Sequence, residues 1–409
     1  MKKYFSIFYS LLVLVLAASC KQEPNIPDVD SYNVVYMAQA KSLQDFVFSQ
    51  SKGSDKVFVG ASYGGLKYAP EDIRIEFDAD FSLVAEYNDT YGTNYLPLPL
   101  SSMSFTDKVT TIKKGELQSN PLSIDIDFAG LSTFTSYLLP VKVASLSGSS
   151  PLKEELSTTY FRIEVRSDPT PVKVMALGKG GTNNDMDKLA DIIRGSNSDI
   201  VLIREMDKNT TRSGAANDWP AILADKLPGF HYVYVPSILT YQTGQYGMGV
   251  YSKYPISNAE LHRLALANGN VGPTHEAAPF AMMDLNVNGN TLRLGAVHTG
   301  ANAANRDAQV ESMIQLLGAD TGQPFVLVGN MNDNPNTGGT YASLAGLGFT
   351  VPCTGCSPNF SVANPATWSD MTLFRPASRF YAVSHTVGTS AQVIGGTHLP
   401  IFTTLNVYF

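Results

Sequence analysis

Hydrophobic and polar positions alternate at strand length through the first part of the chain, then give way to a different rhythm. Residues 33–37, 56–60, 73–77, 122–126 and 160–165 alternate or run apolar, with Gly, Ser, Asn and Asp between them. Segments 111–112 and 137–141 belong to the same series. Short strands separated by turn residues predict a sandwich, with one short helix at 81–88. Ser167-Asp168-Pro169-Thr170-Pro171 is a proline-spaced junction and marks a boundary. Beyond it, apolar runs at 172–177, 199–204, 247–252, 281–287, 291–298 and 325–329 predict strands. Helical spacing of apolar residues appears at 186–194, 219–226, 302–317 and near 340–347. Closing strands are expected at 379–384 and 398–408. Strands alternating with helices predict an α/β domain whose sheets are covered.

Composition adds bounds. A chain of 409 residues is too long for one ordinary domain. With 44% hydrophobic and 16% charged residues it carries enough apolar material for real cores. The net charge of -7 weighs against a nucleic-acid partner, which calls for a basic face.

The N-terminus reads as an export leader: Lys2 and Lys3, an apolar run from Phe5 to Ala17, then Ala17-Ala18-Ser19-Cys20. The run is short for a membrane span. Small residues directly before a cysteine resemble a bacterial lipobox, which implies cleavage before Cys20, lipidation of its thiol and anchoring to the outer membrane, at the cell surface. Residues 21–30 form a polar, proline-bearing spacer. Cys353 and Cys356 bracket a two-residue loop. A zinc site requires a second pair, and in an exported protein a local disulfide is the expectation.

Glu86-Tyr87-Asn88, Thr93-Asn94-Tyr95, Thr111-Ile112 with Gly115, and residues 137–141 together resemble an N-terminal domain of unknown function found on surface lipoproteins of glycan-utilisation systems. The resemblance implies an immunoglobulin-like sandwich ahead of a glycan-active or glycan-binding module, possessing no catalytic constellation of its own.

Four segments of the second part carry a second resemblance. They are Ile203-Arg204-Glu205, the run from Tyr246 to Ile256, Val297-His298 with Arg306 and Gln309 following, and Gly329-Asn330-Met331-Asn332. Together with Thr397-His398 and Pro400 they resemble, in order, the endonuclease/exonuclease/phosphatase superfamily. That implies a four-layer αββα sandwich with its site at the strand ends on one edge. The organisation expected is therefore a leader at 1–20, a linker at 21–31, an all-β immunoglobulin-like sandwich at 32–167, a linker at 168–172 and the α/β domain at 173–409.

Members of that superfamily cleave phosphoesters with a divalent metal on oxygen ligands, a carboxylate and two histidines. The residues kept here are Glu205, Asn332, His298 and His398. Gly178 stands for the family's Asn and Arg204 for its Gln. Asn330, Tyr381 and Thr397 stand where the family has carboxylates, with Arg379-Phe380-Tyr381 taken as its Arg-Ile-Asp. An amide keeps the shape of a carboxylate without its charge or its basicity. Arg204 is expected to pair with Glu205 or Asp207, or to take the cation's place. Arg212 and Arg306 are candidates for gripping an anion, and Tyr381 and Trp368 for stacking on a sugar ring.

Three readings follow. The first is a surface lipoprotein whose domain binds a glycan or other small ligand without chemistry or cofactor. The second is a phosphodiesterase or phosphatase with a rearranged site, using Mg2+ or Mn2+. The third is a structural component of an outer-membrane transporter complex. No nucleic-acid partner is expected in any of them.

Overall fold

The computed structural model describes residues 29–409; the leader and Cys20 lie outside them. The chain divides into two compact units between Arg166 and Ser167. In the first, strands Gln44–Ser49, Thr158–Arg166, Ser136–Leu146, Ile73–Ala79 and Val109–Ile112 form one sheet in that order. Ser54–Val59, Leu122–Asp127 and Met103–Phe105 form a second. Alternate residues Ile73, Ile75 and Phe77 meet Ile124, Ile126, Phe161 and Ile163 in one core, as the two-residue period of a strand requires. The helix Leu83–Tyr91 runs slightly past the expected 81–88 and stops at Gly92, whose φ of 64° is left-handed.

The second unit opens on β1 (Thr170–Gly178), followed by α1 (Met186–Ser196), β2 (Ile200–Lys208) and α2 (Trp219–Asp225). Strands β3 (His231–Tyr241), β4 (Gly244–Ser252), β5 (Ile256–Leu264), β6 (Ala278–Val287) and β7 (Asn290–His298) come next. Then follow α3 (Ala303–Leu317), β8 (Phe325–Asn330), α4 (Gly339–Ala345), β9 (Asp370–Arg375), β10 (Phe380–Val387) and β11 (Ile401–Val407). One sheet has the order β3-β4-β2-β1-β11-β10 and the other β5-β6-β7-β8-β9.

Burial explains why these strands read as unbroken apolar runs. Val174 and Ala176 of β1 and Ile200 and Leu202 of β2 face the other sheet, in a core shared with Leu294, Val326 and Val328. Their neighbours Met175, Leu177, Val201 and Ile203 face outward onto Met186, Leu189 and Ile193 of α1. On the far side, Val297 and Leu327 pack under Val310 and Met313 of α3 and Leu344 of α4. The result is the four-layer αββα sandwich, with both sheets covered on both faces.

Three strands are absent from the sequence reading: β3, β5 and β9. All three are edge strands. β5 is largely exposed and β3 is a mixture of exposed, half-buried and buried positions, so both lack the apolar run that marks a covered strand. β9 is buried throughout but only six residues long and opens on a charge.

Candidate functional site

The strands bring two rows of side chains together at one edge of the sandwich. On the second sheet His298 ends β7, Asn330 ends β8 and Asp370 begins β9, and the three are register partners. On the first sheet Gly178 ends β1 and pairs with Arg204 of β2. The register of β2 against β4 shifts between Ile203 and Met206, and Glu205 adopts a φ of 62°. In a regular strand successive side chains point to opposite faces; the bulge instead turns both Arg204 and Glu205 towards the site.

Arg204 crosses from one sheet to the other. Its Nε donates to Asp370 Oδ1 at 2.7 Å and its Nη2 to Oδ2 at 2.8 Å, with both side chains 0% exposed. This is the two-pronged geometry in which a guanidinium holds a carboxylate most strongly. Asn359 braces the acid: its Nδ2 donates to Asp370 Oδ2 at 3.1 Å and its Oδ1 accepts the Ser369 N–H at 2.9 Å. Burial alone would raise the Asp370 carboxyl, but the charge and hydrogen bonds of Arg204 hold it below its ordinary value. The remaining nitrogen, Nη1, approaches Glu205 Oε1 at 3.5 Å and His298 Nε2 at 3.4 Å.

Both histidines of the site are held below their ordinary value. Burial first, and then the Arg204 charge, hold His298 down at about 3. His398 is lowered by the same two causes, against the pull of Asp370 and Glu205. His398 Nδ1 lies 3.2 Å from Thr397 Oγ1 and 3.9 Å from Glu205 Oε1. Its ring packs against Phe360 with centroids 4.8 Å apart.

Arg204, Glu205, His298, Asn330, Phe360, Ser369 and His398 line a cavity of about 800 Å3, whose wall also includes Tyr246, Glu276, Asn302, Asn305, Asn332 and Trp368. Asn330 Oδ1 accepts the Asn332 N–H, and Asn332 Nδ2 donates to Thr299 O. Trp368 is fixed by its Nε1, which donates to Cys356 O at 2.6 Å. Cys356 is itself joined to Cys353.

A magnesium or manganese ion requires several hard, preferably anionic, oxygens. The space between Glu205, His298 and Asp370 is instead filled by a guanidinium, which takes both oxygens of Asp370. A divalent ion about 4 Å from that guanidinium would meet a repulsion of about 8 kcal/mol at an effective dielectric of about 20. A millimolar site contributes only about 4 kcal/mol. Among the described residues, no three His, Cys, Asp or Glu groups are arranged to share a metal. The residues present do not fit a divalent ion.

Of the residues singled out in the sequence, Arg204, Glu205, His298, Asn330, Asn332, Trp368 and His398 converge on this cavity. Four expectations need correction. Tyr381 is not at the site: it lies on β10, the edge strand of the other sheet, and is 63% exposed. A carboxylate does stand at the site, Asp370, carried by the strand that pairs with β8. Arg204 pairs mainly with Asp370, which was not foreseen, and also with Glu205 at 3.5 Å as expected, whereas Asp207 is held by Arg212. Arg212 and Arg306 do not line the cavity. Arg212 grips Asp207 at 2.8 and 2.7 Å, and Arg306 Nη1 donates to the backbone oxygen of Asn332 at 2.9 Å.

Asp370, Ser369, Asn359 and Glu276 escaped the sequence reading. The signal for Asp370 was present: Trp368-Ser369-Asp370 precedes the apolar Met371-Thr372-Leu373-Phe374. That is a polar site residue at the start of a buried strand. The nearby Arg379-Phe380-Tyr381 drew the match away because it offered an arginine in the expected place.

No curated protein matches the chain. A family profile described as "-like, N-terminal domain" matches residues 30–150. Solved structures similar to the chain include an endonuclease/exonuclease/phosphatase from Beutenbergia cavernae, at 19% identity over 58% of this chain and 72% of that one, with a TM-score of 0.47. The endonuclease/exonuclease/phosphatase from Bacteroides vulgatus is 15% identical over 58% and 99%, with a TM-score of 0.47. A mannosyl-6-phosphatase from Bacteroides thetaiotaomicron is 12% identical over 57% and 99%, with a TM-score of 0.42. The profile of the Endonuclease/Exonuclease/phosphatase family matches residues 176–390, more than half of the chain, and the chain belongs to that family.

Proposed function

We propose that this domain is a binding module rather than a hydrolase, and that it takes a neutral carbohydrate. The buried Arg204–Asp370 pair carries the proposal, because it occupies the ground where a metal ion would have to sit. His298 supports it. A group must be protonated to act as a general acid, and His298, held at about 3, is neutral at physiological pH.

The cavity lining favours a sugar over a phosphate. Among the described residues, Arg204 is the one Lys or Arg side chain on the wall, and it is set against Asp370, Glu205 and Glu276, so the charge left over is negative. An acidic wall repels a phosphoester. Carboxamides of Asn302, Asn305, Asn330 and Asn332 suit hydroxyl groups, and Trp368 and Tyr246 offer flat faces for a ring. In this reading the protein is lipid-anchored through Cys20 to the outer membrane, and the first unit is a spacer.

Trp368 is one of two tryptophans, so intrinsic fluorescence reports on the cavity. Titration with a panel of neutral oligosaccharides is expected to change that signal for at least one of them, and to leave Trp368→Phe weaker in binding. A flat response across the panel removes the proposal.

One observation favours the alternative of a rearranged phosphodiesterase: His298, His398 and Glu205 all face the same cavity. Chromogenic phosphodiesters assayed with magnesium or manganese distinguish the two, since turnover that disappears in His398→Ala belongs only to a hydrolase.

A further inference from the structure

Two departures from the family pattern, Gly178 and Arg204, meet at one point. They are register partners on the adjacent parallel strands β1 and β2. A Cβ placed on Gly178 would lie 2.9 Å from Arg204 Nη2, 3.2 Å from its Cζ and 3.1 Å from His398 Nδ1. Gly178 is not among the residues with positive φ, so nothing in its backbone calls for glycine; what calls for it is space. The guanidinium cannot swing aside to relieve such a contact. Its Nε and Nη2 are both committed to Asp370, at 2.7 and 2.8 Å, and the side chain is buried.

We infer that Arg204 is a built-in cation that pairs with Asp370 and Glu205 in place of a divalent ion, and that Gly178 is the coupled change that makes room for it. One edge of the guanidinium addresses Asp370, and Nη1 addresses Glu205 Oε1 at 3.5 Å. A guanidinium set between two carboxylates offsets one of their two charges, where a divalent ion would offset both, and it cannot dissociate. Taking the arginine away leaves two carboxylates, one fully buried, around a gap with no counter-charge. Such a gap is a hard-oxygen environment of the kind manganese binds. The inference stands whether or not the cavity takes a carbohydrate.

The test uses the full chain, Gly178→Ala, Arg204→Gln and the double variant, each melted with and without millimolar Mn2+. The unaltered chain should melt at the same temperature in both conditions. Gly178→Ala should lower Tm by roughly 3 to 10 °C, the range expected for overpacking a filled site. The same change should cost much less in the Arg204→Gln background, where the clashing group is gone. Arg204→Gln should gain a Mn2+-dependent rise of roughly 5 °C or more, or should fold only when Mn2+ is present. The inference is overturned if Mn2+ stabilises the unaltered chain as much as the variant. It is equally overturned if Gly178→Ala costs the same in both backgrounds, or if folded Arg204→Gln ignores Mn2+. Should Arg204→Gln fold in neither condition, Gly178→Ala alone decides: a lowered Tm supports the tight fit at position 178, and an unchanged Tm overturns it.

Discussion

Strand β2 supplies one member to each of two arginine–aspartate pairs, and the pairs differ in everything but their chemistry. Arg204 and Asp370 join the two sheets across the interior, both wholly out of solvent. Arg212 and Asp207 join the end of β2 to the turn that follows it. There the acid is buried, but the arginine side chain is 29% exposed, with its guanidinium 4.6 Å from the Tyr241 ring and 5.2 Å from that of Tyr246. Each pair makes two short hydrogen bonds. The inner pair occupies the floor of the cavity and decides what the cavity can hold. The outer pair shapes a rim loop and meets the cavity wall through the Tyr246 ring. Two-pronged geometry by itself therefore says little about function; what the pair displaces says more.

Removing the acid of the inner pair has the largest expected effect. Asp370→Asn leaves a buried guanidinium without its counter-charge and should cost about 3–5 kcal/mol in chemical denaturation. Arg212→Ala should cost about 2 kcal/mol, because water and the neighbouring hydroxyls can reach Asp207 once the rim opens. Equal losses in the two variants would break the distinction between floor and rim.

Acid sharpens it further. The unfolded chain takes up a proton on His298 near the ordinary value of 6.5, whereas the folded chain resists until about 3. Between those values the unfolded state binds more protons, so stability should fall steadily as pH drops through this window. The lowered Asp370 adds its own loss below the ordinary carboxylate value of 3.8. His298→Asn should flatten the upper part of that curve in a pH series of urea melts, and an unchanged slope would contradict the neutral histidine. The smallest effect on the fold belongs to Trp368→Phe, at about 1 kcal/mol for one lost hydrogen bond to Cys356. Its effect on carbohydrate affinity should be larger, about tenfold, as read by calorimetry.

The sequence revealed the layered fold wherever strands were covered on both sides. Met175 and Ala176, or Val201 and Leu202, are apolar in succession because each neighbour meets a different layer. Edge strands such as β3 and β5 gave no such pattern, since solvent on one side tolerates polar residues. At the site, single residues were legible: Arg204, Glu205, His298, Asn330 and His398 all stand on the cavity wall. Pairings between distant segments were not. Asp370 lies 166 positions from Arg204, and only the register of β8 against β9 brings it there. The space that Gly178 leaves for the guanidinium was equally hidden, because a glycine states what is absent without saying what fills the gap.

The central claim is that a fixed guanidinium has replaced the ion on which phosphoester chemistry in this fold would depend. The most direct measurement is turnover of a chromogenic phosphodiester by the full chain and by His398→Ala, in parallel, with saturating magnesium and then manganese. The account predicts the same background rate from both proteins. Metal-dependent turnover by the unaltered chain that His398→Ala abolishes would contradict it.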